Sequence, residues 1–264
     1  MKNIDMSKKV ILVTGAASGM GRAFANLALE AGAEGLIAVD MNAELMETLK
    51  AELAQKGYEK KLMAVTLNVV DEQGVIKMLE NAIARFGRLD CCFNHAAIGA
   101  IMSEAADFPT DRFHAVIENN VYGPYNVLRH VLEIMRNQKF GAIVNTASIL
   151  GFRGMPSTLE YSTSRGAVMA MSKVAALEAA NYGVRVNTLC PGLTDTPIND
   201  ETHRGINPEN PKAAMEAIAQ AIPLKRYAYA EEQATAALFL LSDAASYISG
   251  IDMVVDGALT ARAM

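Results

Sequence analysis

Short apolar runs alternate with longer stretches of helical periodicity along most of the chain. The apolar runs predict strands, because strands buried on both faces are almost continuously hydrophobic. They lie near residues 9–14, 35–39, 61–67, 89–93, 141–146, 183–190 and 251–255. The helical patterns lie near 20–32, 42–56, 71–87, 110–137, 159–181 and 231–242. This alternation predicts one α/β domain over residues 1–264, a doubly wound parallel sheet of about seven strands with helices on both faces.

One long segment, 192–229, falls outside this alternation and contains only a short helical pattern near 212–220. A long irregular segment in a compact domain is usually functional or disordered. Because this one follows the end of a predicted strand, where ligands bind in parallel sheets, we expect it to be a substrate lid. Its prolines are Pro197, Pro208, Pro211 and Pro223.

Composition and charge exclude several classes of function. The chain has 264 residues, of which 51% are hydrophobic and 20% charged, which is enough for a large core. Its net charge of −5 argues against nucleic acid or an anionic membrane surface as a partner. No apolar run approaches the ~20 residues of a membrane span, and residues 1–6 lack the apolar core of a secretion signal. We therefore expect a cytoplasmic protein.

The cysteines and histidines do not indicate a metal or redox site. Cys91, Cys92 and Cys190 all lie in predicted strands, so we expect buried, reduced thiols. The four histidines show no metal-ligand spacing, and no metal is expected.

A glycine-rich turn follows the first predicted strand. Residues 14–21 read Thr-Gly-Ala-Ala-Ser-Gly-Met-Gly and lead into a predicted helix, the order of a nucleotide-binding strand, turn and helix. Gly15 allows the tight turn, Gly19 removes a Cβ near the diphosphate, and Gly21 lets the helix pack against the strand. The helix N-terminus then offers N–H groups to the anion. The alternative is an ordinary glycine-rich turn without a ligand.

A carboxylate at the end of the second strand favours the nucleotide. Asp40 lies 19 residues after Gly21, where a carboxylate accepts hydrogen bonds from both ribose hydroxyls of adenosine and repels a 2′-phosphate. The neighbouring positions Ser18 and Met41 carry no positive charge that would neutralise such a phosphate. The pattern therefore predicts NAD rather than NADP as the cofactor.

The most informative pair of residues is Tyr161 and Arg165. Four residues apart on a predicted helix, their side chains lie on one face about one turn apart. A fixed cation there favours the phenolate form of the tyrosine, and a tyrosine so placed can act as a general acid and base.

Together these motifs resemble the short-chain dehydrogenase/reductase family, single-domain and with a Thr-Gly-x-x-x-Gly-x-Gly turn, over roughly residues 8–258. Tyr161 follows Ser148 by 13 residues, the spacing that the family uses. The other matching pieces are Asn94-His95-Ala96-Ala97, Asn120-Val121-Tyr122-Gly123, Ile143-Val144-Asn145-Thr146-Ala147-Ser148, Pro191-Gly192-Leu193-Thr194-Asp195-Thr196 and Val255-Asp256-Gly257-Ala258.

The resemblance implies a Rossmann-like fold and hydride transfer between NAD and a secondary alcohol or ketone. Tyr161 would exchange the hydroxyl proton, Ser148 would hold the substrate oxygen, and Asn120 would fix a proton-carrying water. Without the Tyr161 spacing, Ser148 would be interpreted as a serine that only makes a local hydrogen bond at a strand end. Asn119 is the alternative to Asn120, because the helix register decides which of the two points inward. The implied catalytic residues are Asn120, Ser148, Tyr161 and Arg165. The implied cofactor-binding residues are Gly15, Ser18, Gly19, Met20, Gly21, Asp40, Asn68, Val69, Asn94, Ala96, Tyr161, Arg165, Pro191, Gly192, Thr194 and Thr196.

The chain departs from the family pattern at several of these positions. Arg165 replaces the family's Lys; it keeps the charge and can bind ribose hydroxyls, but it cannot release a proton. Asn68 replaces Asp, and its carbonyl can still accept a hydrogen bond from the adenine amino group. His95 and Ala97 replace Asn and Gly; we expect His95 to be a packed, hydrogen-bonded residue and Ala97 to adopt a negative φ.

The substrate is predicted from a few apolar residues and one cation. They suggest an apolar pocket for a bulky alicyclic, steroid-like or terpenoid-like alcohol, as in a hydroxysteroid dehydrogenase. Arg153, on the loop between Ser148 and Tyr161, is expected to face either an acidic substrate group or, more simply, solvent. The apolar residues are Met155, Leu159, Ile198, Met215 and Ile218.

Two alternatives stay open. The first is a reductase of 3-oxoacyl thioesters, which would normally prefer NADP and is therefore disfavoured by Asp40. The second is a catalytically impaired protein that binds a dinucleotide, which only Arg165 supports.

The resemblance also implies a homotetramer, or a homodimer, formed through the predicted helices 110–137 and 159–181. Residues 259–264 are expected to finish at that interface or at a neighbouring active site.

Overall fold

The computed structural model describes residues 4–261, without the side chains of residues 201 and 202. One sheet of parallel strands, in the order β3-β2-β1-β4-β5-β6-β7, runs through the molecule. This confirms the predicted α/β fold with its doubly wound, seven-stranded sheet. The strands are β1 (Val10–Thr14), β2 (Gly35–Asp40), β3 (Leu62–Thr66), β4 (Cys91–Asn94), β5 (Gly141–Thr146), β6 (Val184–Pro191) and β7 (Asp252–Val255).

Helices cover both faces of the sheet, because successive residues of a strand point to opposite sides. Ile11 and Val13 belong to the core beneath the first, second and ninth helices, while Val10 and Leu12 belong to the core beneath the third, fifth and sixth. The helices are α1 (Gly19–Glu30), α2 (Ala43–Gln55), α3 (Glu72–Phe86), α4 (Thr110–Ile117), α5 (Gly123–Gln138), α6 (Leu159–Ala179), α7 (Asp200–Ile206), α8 (Pro211–Ala219) and α9 (Ala230–Leu241).

The long helix predicted at 110–137 is interrupted. A π-helical turn over Glu118–Tyr122 separates α4 from α5 and contains the fully buried Asn120. Such a turn inserts one residue into the helical repeat and rotates the side chains around it, which hydrophobic periodicity does not reveal. π-Helical turns are frequently found at functional sites.

The segment 192–229 contains more regular structure than predicted. It forms α7, which the sequence pattern did not show, and α8, which was predicted near 212–220. A short bridge between Thr194 and Ala228 joins its two ends. Its function as a lid stays a prediction.

Three further expectations concern the core and the ends of the chain. Cys91, Cys92 and Cys190 are buried free thiols, as predicted, and burial raises the pKa of Cys91 and of Cys190 to about 12. Among residues 4–261, no helix is both long and apolar enough to cross a membrane. Residues 262–264, expected near an interface, lie outside the described residues.

The sheet order creates a cleft at the carboxyl ends of β1 and β4. The chain runs from β1 outward to β3 and then returns to β4 on the other side of β1. Helices that connect strands in opposite directions leave a crevice between those strand ends, which is where such folds bind ligands.

We expect Gly21→Ala to destabilise the protein strongly. A Cβ at this position would lie 1.9 Å from the carbonyl oxygen of Gly15, so that α1 could no longer pack against the turn. Backbone atoms must then move, at a cost of about 2 kcal/mol or more. Thermal and urea unfolding would measure the change. Gly154→Ala, where an added Cβ meets nothing within 4 Å, is the control and should unfold like the parent; equal stability of both variants would contradict this packing argument.

Candidate active site

A cavity of about 840 Å³ lies over the carboxyl ends of the strands. Most residues predicted to bind cofactor or substrate line it, whereas Gly21, Asn94 and Asn120 do not. The predicted residues that line it are Gly15, Ser18, Gly19, Met20, Asp40, Asn68, Val69, Ala96, Ser148, Tyr161, Arg165, Pro191, Gly192, Thr194 and Thr196.

One end of the cavity is built as an anion site. Gly15 and Gly19 have positive φ values of 69° and 47°, which permit the tight turn before α1. The side chain of the N-cap residue, Ser18, makes no capping hydrogen bond, and no acidic residue lies in the first turn of α1. The N-terminal N–H groups of this helix are therefore open to a phosphate. Thr196, from the segment after β6, closes over this turn, so that a Cβ at Gly19 would lie 3.1 Å from its methyl group.

Asp40 places a fixed carboxylate beside this anion site. Its Oδ2 accepts a hydrogen bond from the Ala17 N–H (3.0 Å), and its Oδ1 accepts one from the Asn42 N–H (3.0 Å). These bonds hold the negative charge at the end of β2. Met41, which also lines the cavity, is 61% exposed beside it.

Ser148, Tyr161 and Arg165 come together on the opposite wall. Ser148 follows β5, and its Oγ accepts a hydrogen bond from the Leu150 N–H at 3.1 Å. Tyr161 lies in the first turn of α6, and the Arg165 guanidinium carbon lies 4.6 Å from the centroid of its ring. A cation over the face of a phenol is attracted by the electrons of the ring.

Arg165 is an unusual buried cation. It is 2% exposed, one guanidinium N–H donates to the Thr146 carbonyl at 3.2 Å, and Nε has no hydrogen-bond partner among the described residues. Burial of a charge is costly unless it is paired or hydrogen-bonded. The structure offers the Tyr161 ring and one carbonyl, so the cation keeps unused donors at the cavity.

His95 is the titratable group that sequence analysis did not assign to the site. Its ring lines the cavity, stacks on Phe93 with centroids 4.9 Å apart, and bonds through Nδ1 to the Thr146 hydroxyl at 3.0 Å. Burial, and then the charge of Arg165, lower the pKa of His95 to about 4. The ring is therefore neutral at pH 7, and it is packed and hydrogen-bonded as expected.

Asn94 and Asn120 face the protein interior. Asn94 Nδ2 donates to Asn145 Oδ1 (2.9 Å) and to the Pro124 carbonyl (2.8 Å), so it joins β4 to β5 and α5. The Asn120 amide accepts from the Ile98 N–H (2.8 Å) and donates to its carbonyl (3.0 Å). Both side chains therefore support the cavity from behind, and Asn119 lines it instead.

The other residues predicted for the site also fall into two groups, those that line the cavity and those that do not. Ala97 lines the cavity with φ outside the positive region, as expected. Of the apolar residues predicted for the substrate, Met155 and Ile198 line the cavity, whereas Leu159, Met215 and Ile218 do not. Sequence analysis missed several lining residues, some directly after Ser148 and some from the distant turn after β7. They include Ile149, Leu150, Leu259 and Thr260.

Comparison with known proteins defines the class. A family model described as enoyl-(acyl carrier protein) reductase matches residues 15–260. Levodione reductase of Leifsonia aquatica is 36% identical over 253 residues, covering 96% of this chain and 94% of the relative. A 3-oxoacyl-[acyl-carrier-protein] reductase of Thermotoga maritima is 35% identical, covering 95% and 97%. A 2,5-dichloro-2,5-cyclohexadiene-1,4-diol dehydrogenase of Sphingobium indicum is 36% identical, covering 97% and 99%.

Solved structures agree. The crystal structure of levodione reductase superposes with a TM-score of 0.94 at 35% identity, covering 98% of this chain and 100% of the other. NAD+-bound xylitol dehydrogenase gives 0.87 at 32%, covering 96% and 99%. A gluconate 5-dehydrogenase of Burkholderia cenocepacia, in complex with NADP and tartrate, gives 0.89 at 27%, covering 99% and 98%.

The fold and the site thus define an oxidoreductase that binds a nicotinamide dinucleotide. The chain belongs to the short-chain dehydrogenase/reductase family. The open helix N-terminus and the turn at Gly15 and Gly19 fit the diphosphate of such a cofactor. Among the side chains that the structure describes, no group of His, Cys, Asp and Glu is placed to hold a metal ion.

We expect His95 to make the protein less stable in mild acid. The unfolded histidine takes up a proton near its ordinary pKa of 6.5, but the folded one does so only near 4. This contribution to stability is fully present above pH 6.5 and is lost as the pH falls towards 4, by at most about 1.4 kcal/mol per pH unit. Urea unfolding of the parent and of His95→Asn between pH 7 and 4 would test this. The difference in stability between them should change with pH; parallel curves would contradict the assignment.

Proposed function

We propose that the protein is an NAD-dependent oxidoreductase that interconverts a cyclic secondary alcohol and its ketone. The observation that carries the proposal is the convergence of Ser148, Tyr161 and Arg165 on one wall of a cavity that has Asp40 at its other end. Ser148 follows β5 and Asp40 ends β2, and these two strands are three strand spacings apart in the sheet, roughly 14 Å. An extended dinucleotide fits between them.

Tyr161 is the acid and base of the proposed reaction. In oxidation its phenolate accepts the proton of the substrate hydroxyl, while the Ser148 Oγ–H donates to the same substrate oxygen and fixes its position. The nicotinamide ring, when bound, supplies the chemistry of hydride acceptance. In reduction the Tyr161 O–H returns its proton to the developing alkoxide.

Arg165 acts through charge and does not carry a proton. Its guanidinium over the Tyr161 ring stabilises the phenolate, and its remaining donors can hold ribose hydroxyls. Because an arginine does not deprotonate in proteins, the proton that Tyr161 accepts passes to bound water. Asn120 serves this path indirectly, because its buried amide bonds to the backbone N–H and carbonyl of Ile98, which lines the cavity.

The proposed preference for NAD depends on Asp40. Its fixed carboxylate accepts hydrogen bonds from the adenosine ribose and repels a 2′-phosphate. Met41 beside it is uncharged, so the described part of the cavity offers this phosphate no cation at that end.

The proposed substrate is a carbocyclic alcohol. The cavity wall beyond Ser148 is apolar at Ile149, Leu150, Met155 and Ile198. A dehydrogenase of a cyclohexadiene-1,4-diol is 36% identical to this chain, and the substrate in its name is a six-membered ring with two oxygens.

Two other functions have some support. The family description and the Thermotoga maritima relative favour a reductase of acyl thioesters, but Asp40 argues against the NADP that we expect such an enzyme to use. The hypothesis of a catalytically impaired dinucleotide-binding protein would explain Arg165. It does not explain why Ser148 and Tyr161 are both present at the cavity, because binding alone does not require them.

For its assembly we propose a cytoplasmic homotetramer, or a homodimer, built on α5 and α6. Both helices present exposed apolar side chains: Tyr125 is 43% exposed, Val174 56% and Leu177 78%. These exposed side chains support the proposal that another copy of the chain covers both helices.

We expect Tyr161→Phe to abolish activity without unfolding the protein. The ring that stacks on Arg165 is retained and only the proton-transferring hydroxyl is lost, so kcat/KM should fall by about 100- to 10,000-fold. NADH formation at 340 nm with steroids, cyclic terpenoids, polyols and β-hydroxyacyl thioesters would measure this, with Tyr58→Phe as the control. Unchanged activity would disprove the proposed role. A silent parent that binds NAD but becomes active as Arg165→Lys would identify the impaired binding protein instead.

We expect Asp40→Ser combined with Met41→Arg to shift cofactor preference from NAD to NADP by on the order of 100-fold, because a repulsive charge is replaced by an attractive one. The ratio of kcat/KM values for the two cofactors is the measurement. Glu44→Ser removes a nearby exposed carboxylate outside the cavity and should leave the ratio unchanged. A parent enzyme that prefers NADP would refute this reading of Asp40.

A further inference from the structure

The charges along the cavity are unevenly distributed. Among its described lining residues, the charged ones are Asp40, Arg153 and Arg165, together with His95, which is neutral at pH 7. The one carboxylate, Asp40, belongs to the adenosine end. Beyond Ser148, therefore, an apolar wall carries a single cation, Arg153, that has no part in the chemistry proposed above.

Arg153 is held in a fixed relation to Ser148 by the backbone. The Gly151 N–H donates to the Ser148 carbonyl at 3.0 Å, and the Arg153 N–H donates to the Ile149 carbonyl at 3.0 Å. Two consecutive turns therefore connect the residue that would hold the reacting oxygen to the base of the arginine side chain. The fold therefore sets the position of the Arg153 backbone relative to Ser148.

The guanidinium of Arg153 reaches across the mouth of the cavity. Its Nη2 donates to the Thr260 carbonyl at 2.9 Å. The N–H and hydroxyl of Thr260 both donate to Asp256 Oδ2, at 2.7 and 2.6 Å. Asp256 packs against Gly192, where an added Cβ would lie 2.7 Å from its Cα. The loops after β5, β6 and β7 thus form a rim that positions the guanidinium.

Most of the donors of this guanidinium are free to bind a ligand. A guanidinium has five N–H groups in a planar fork, and the contact with Thr260 uses one of them. The Arg153 side chain is exposed to solvent although it lines the cavity. A planar cation with unused donors at the mouth of an apolar pocket is suited to an oxygen acceptor, with a carboxylate bound most strongly.

We propose that Arg153 determines specificity by binding a second oxygen of the substrate, on the side of the ring away from the reacting carbon. The substrate class is then a carbocyclic alcohol or ketone that carries a further carbonyl, hydroxyl or carboxylate group. This inference rests on the proposed function, because it assumes that Ser148 and Tyr161 hold the first oxygen. Arg153 itself takes no part in hydride or proton transfer.

The test compares substrates that share a ring and differ in the second oxygen. Cyclohexanol, cyclohexane-1,4-diol and 4-hydroxycyclohexane-1-carboxylate are assayed with NAD, using the parent and Arg153→Met. We expect the parent to prefer both two-oxygen substrates, and Arg153→Met to lower kcat/KM for them by about 10- to 100-fold while leaving cyclohexanol nearly unchanged. A larger loss for the carboxylate than for the diol would identify an anionic substrate, and equal losses a neutral one.

Asp256→Ala is the control for a merely structural role. It releases Thr260 but keeps the guanidinium, so it should lower kcat/KM for the two-oxygen substrates less than Arg153→Met does. If Arg153→Met lowers kcat/KM for all three substrates equally, the arginine only braces the rim and the inference is wrong. A parent that does not favour the second oxygen overturns it as well.

A binding measurement separates this inference from the proposed activity. If no alcohol is oxidised, the proposed function fails, but calorimetric titration of cyclohexane-1,4-dione into NADH-loaded Tyr161→Phe still tests Arg153. We expect binding in that background and an affinity about 10-fold or more weaker when Arg153→Met is added. Equal affinity, or no binding to either protein, overturns the inference.

Discussion

The site depends on one buried hydroxyl group, that of Thr14 at the end of β1. Its Oγ accepts hydrogen bonds from the N–H groups of His95 (2.9 Å) and Ala96 (3.0 Å), and it lies 3.4 Å from Asn94 Oδ1. Asn94 in turn bonds to Asn145 in β5. This network ties the chain that leaves β4 to the end of β1, which are the two strands that bound the cleft. In a buried setting, satisfied polar groups of this kind select one arrangement, because every alternative leaves one of them unpaired.

The second constraint is the buried positive charge of Arg165. The described structure gives it a carbonyl and the face of Tyr161, and its neighbour His95 stays neutral in its presence. A cation, a neutral imidazole and a phenol therefore share one wall, and the charge of Arg165 helps burial to lower the pKa of His95. The proposed chemistry uses this arrangement: the charge that is expensive to bury is also the charge that stabilises a phenolate.

Much of the fold was predictable from the sequence, and the site was predictable in part. The inner strands are buried on both faces and so appear as apolar runs, and the positions of Ser148 and Tyr161 follow from motifs at the ends of regular elements. Side-chain direction was harder to predict. The π-helical turn that buries Asn120, the inward bonds of Asn94 and the contact of Arg153 with Thr260 depend on partners far away in the chain. Local sequence patterns do not predict contacts with such distant residues.

The order of the strands in the sheet affects how much of the protein is folded in the cell. The central strand, β1, has β2 on one side and β4 on the other, and β4 belongs to a part of the chain made much later. A dinucleotide bound over the ends of β1 and β4 contacts both halves of the sheet. The unfolded chain has no such binding site. Binding free energy then adds to the free energy of unfolding. The amount of folded enzyme, as well as its rate of turnover, will therefore follow the supply of its cofactor.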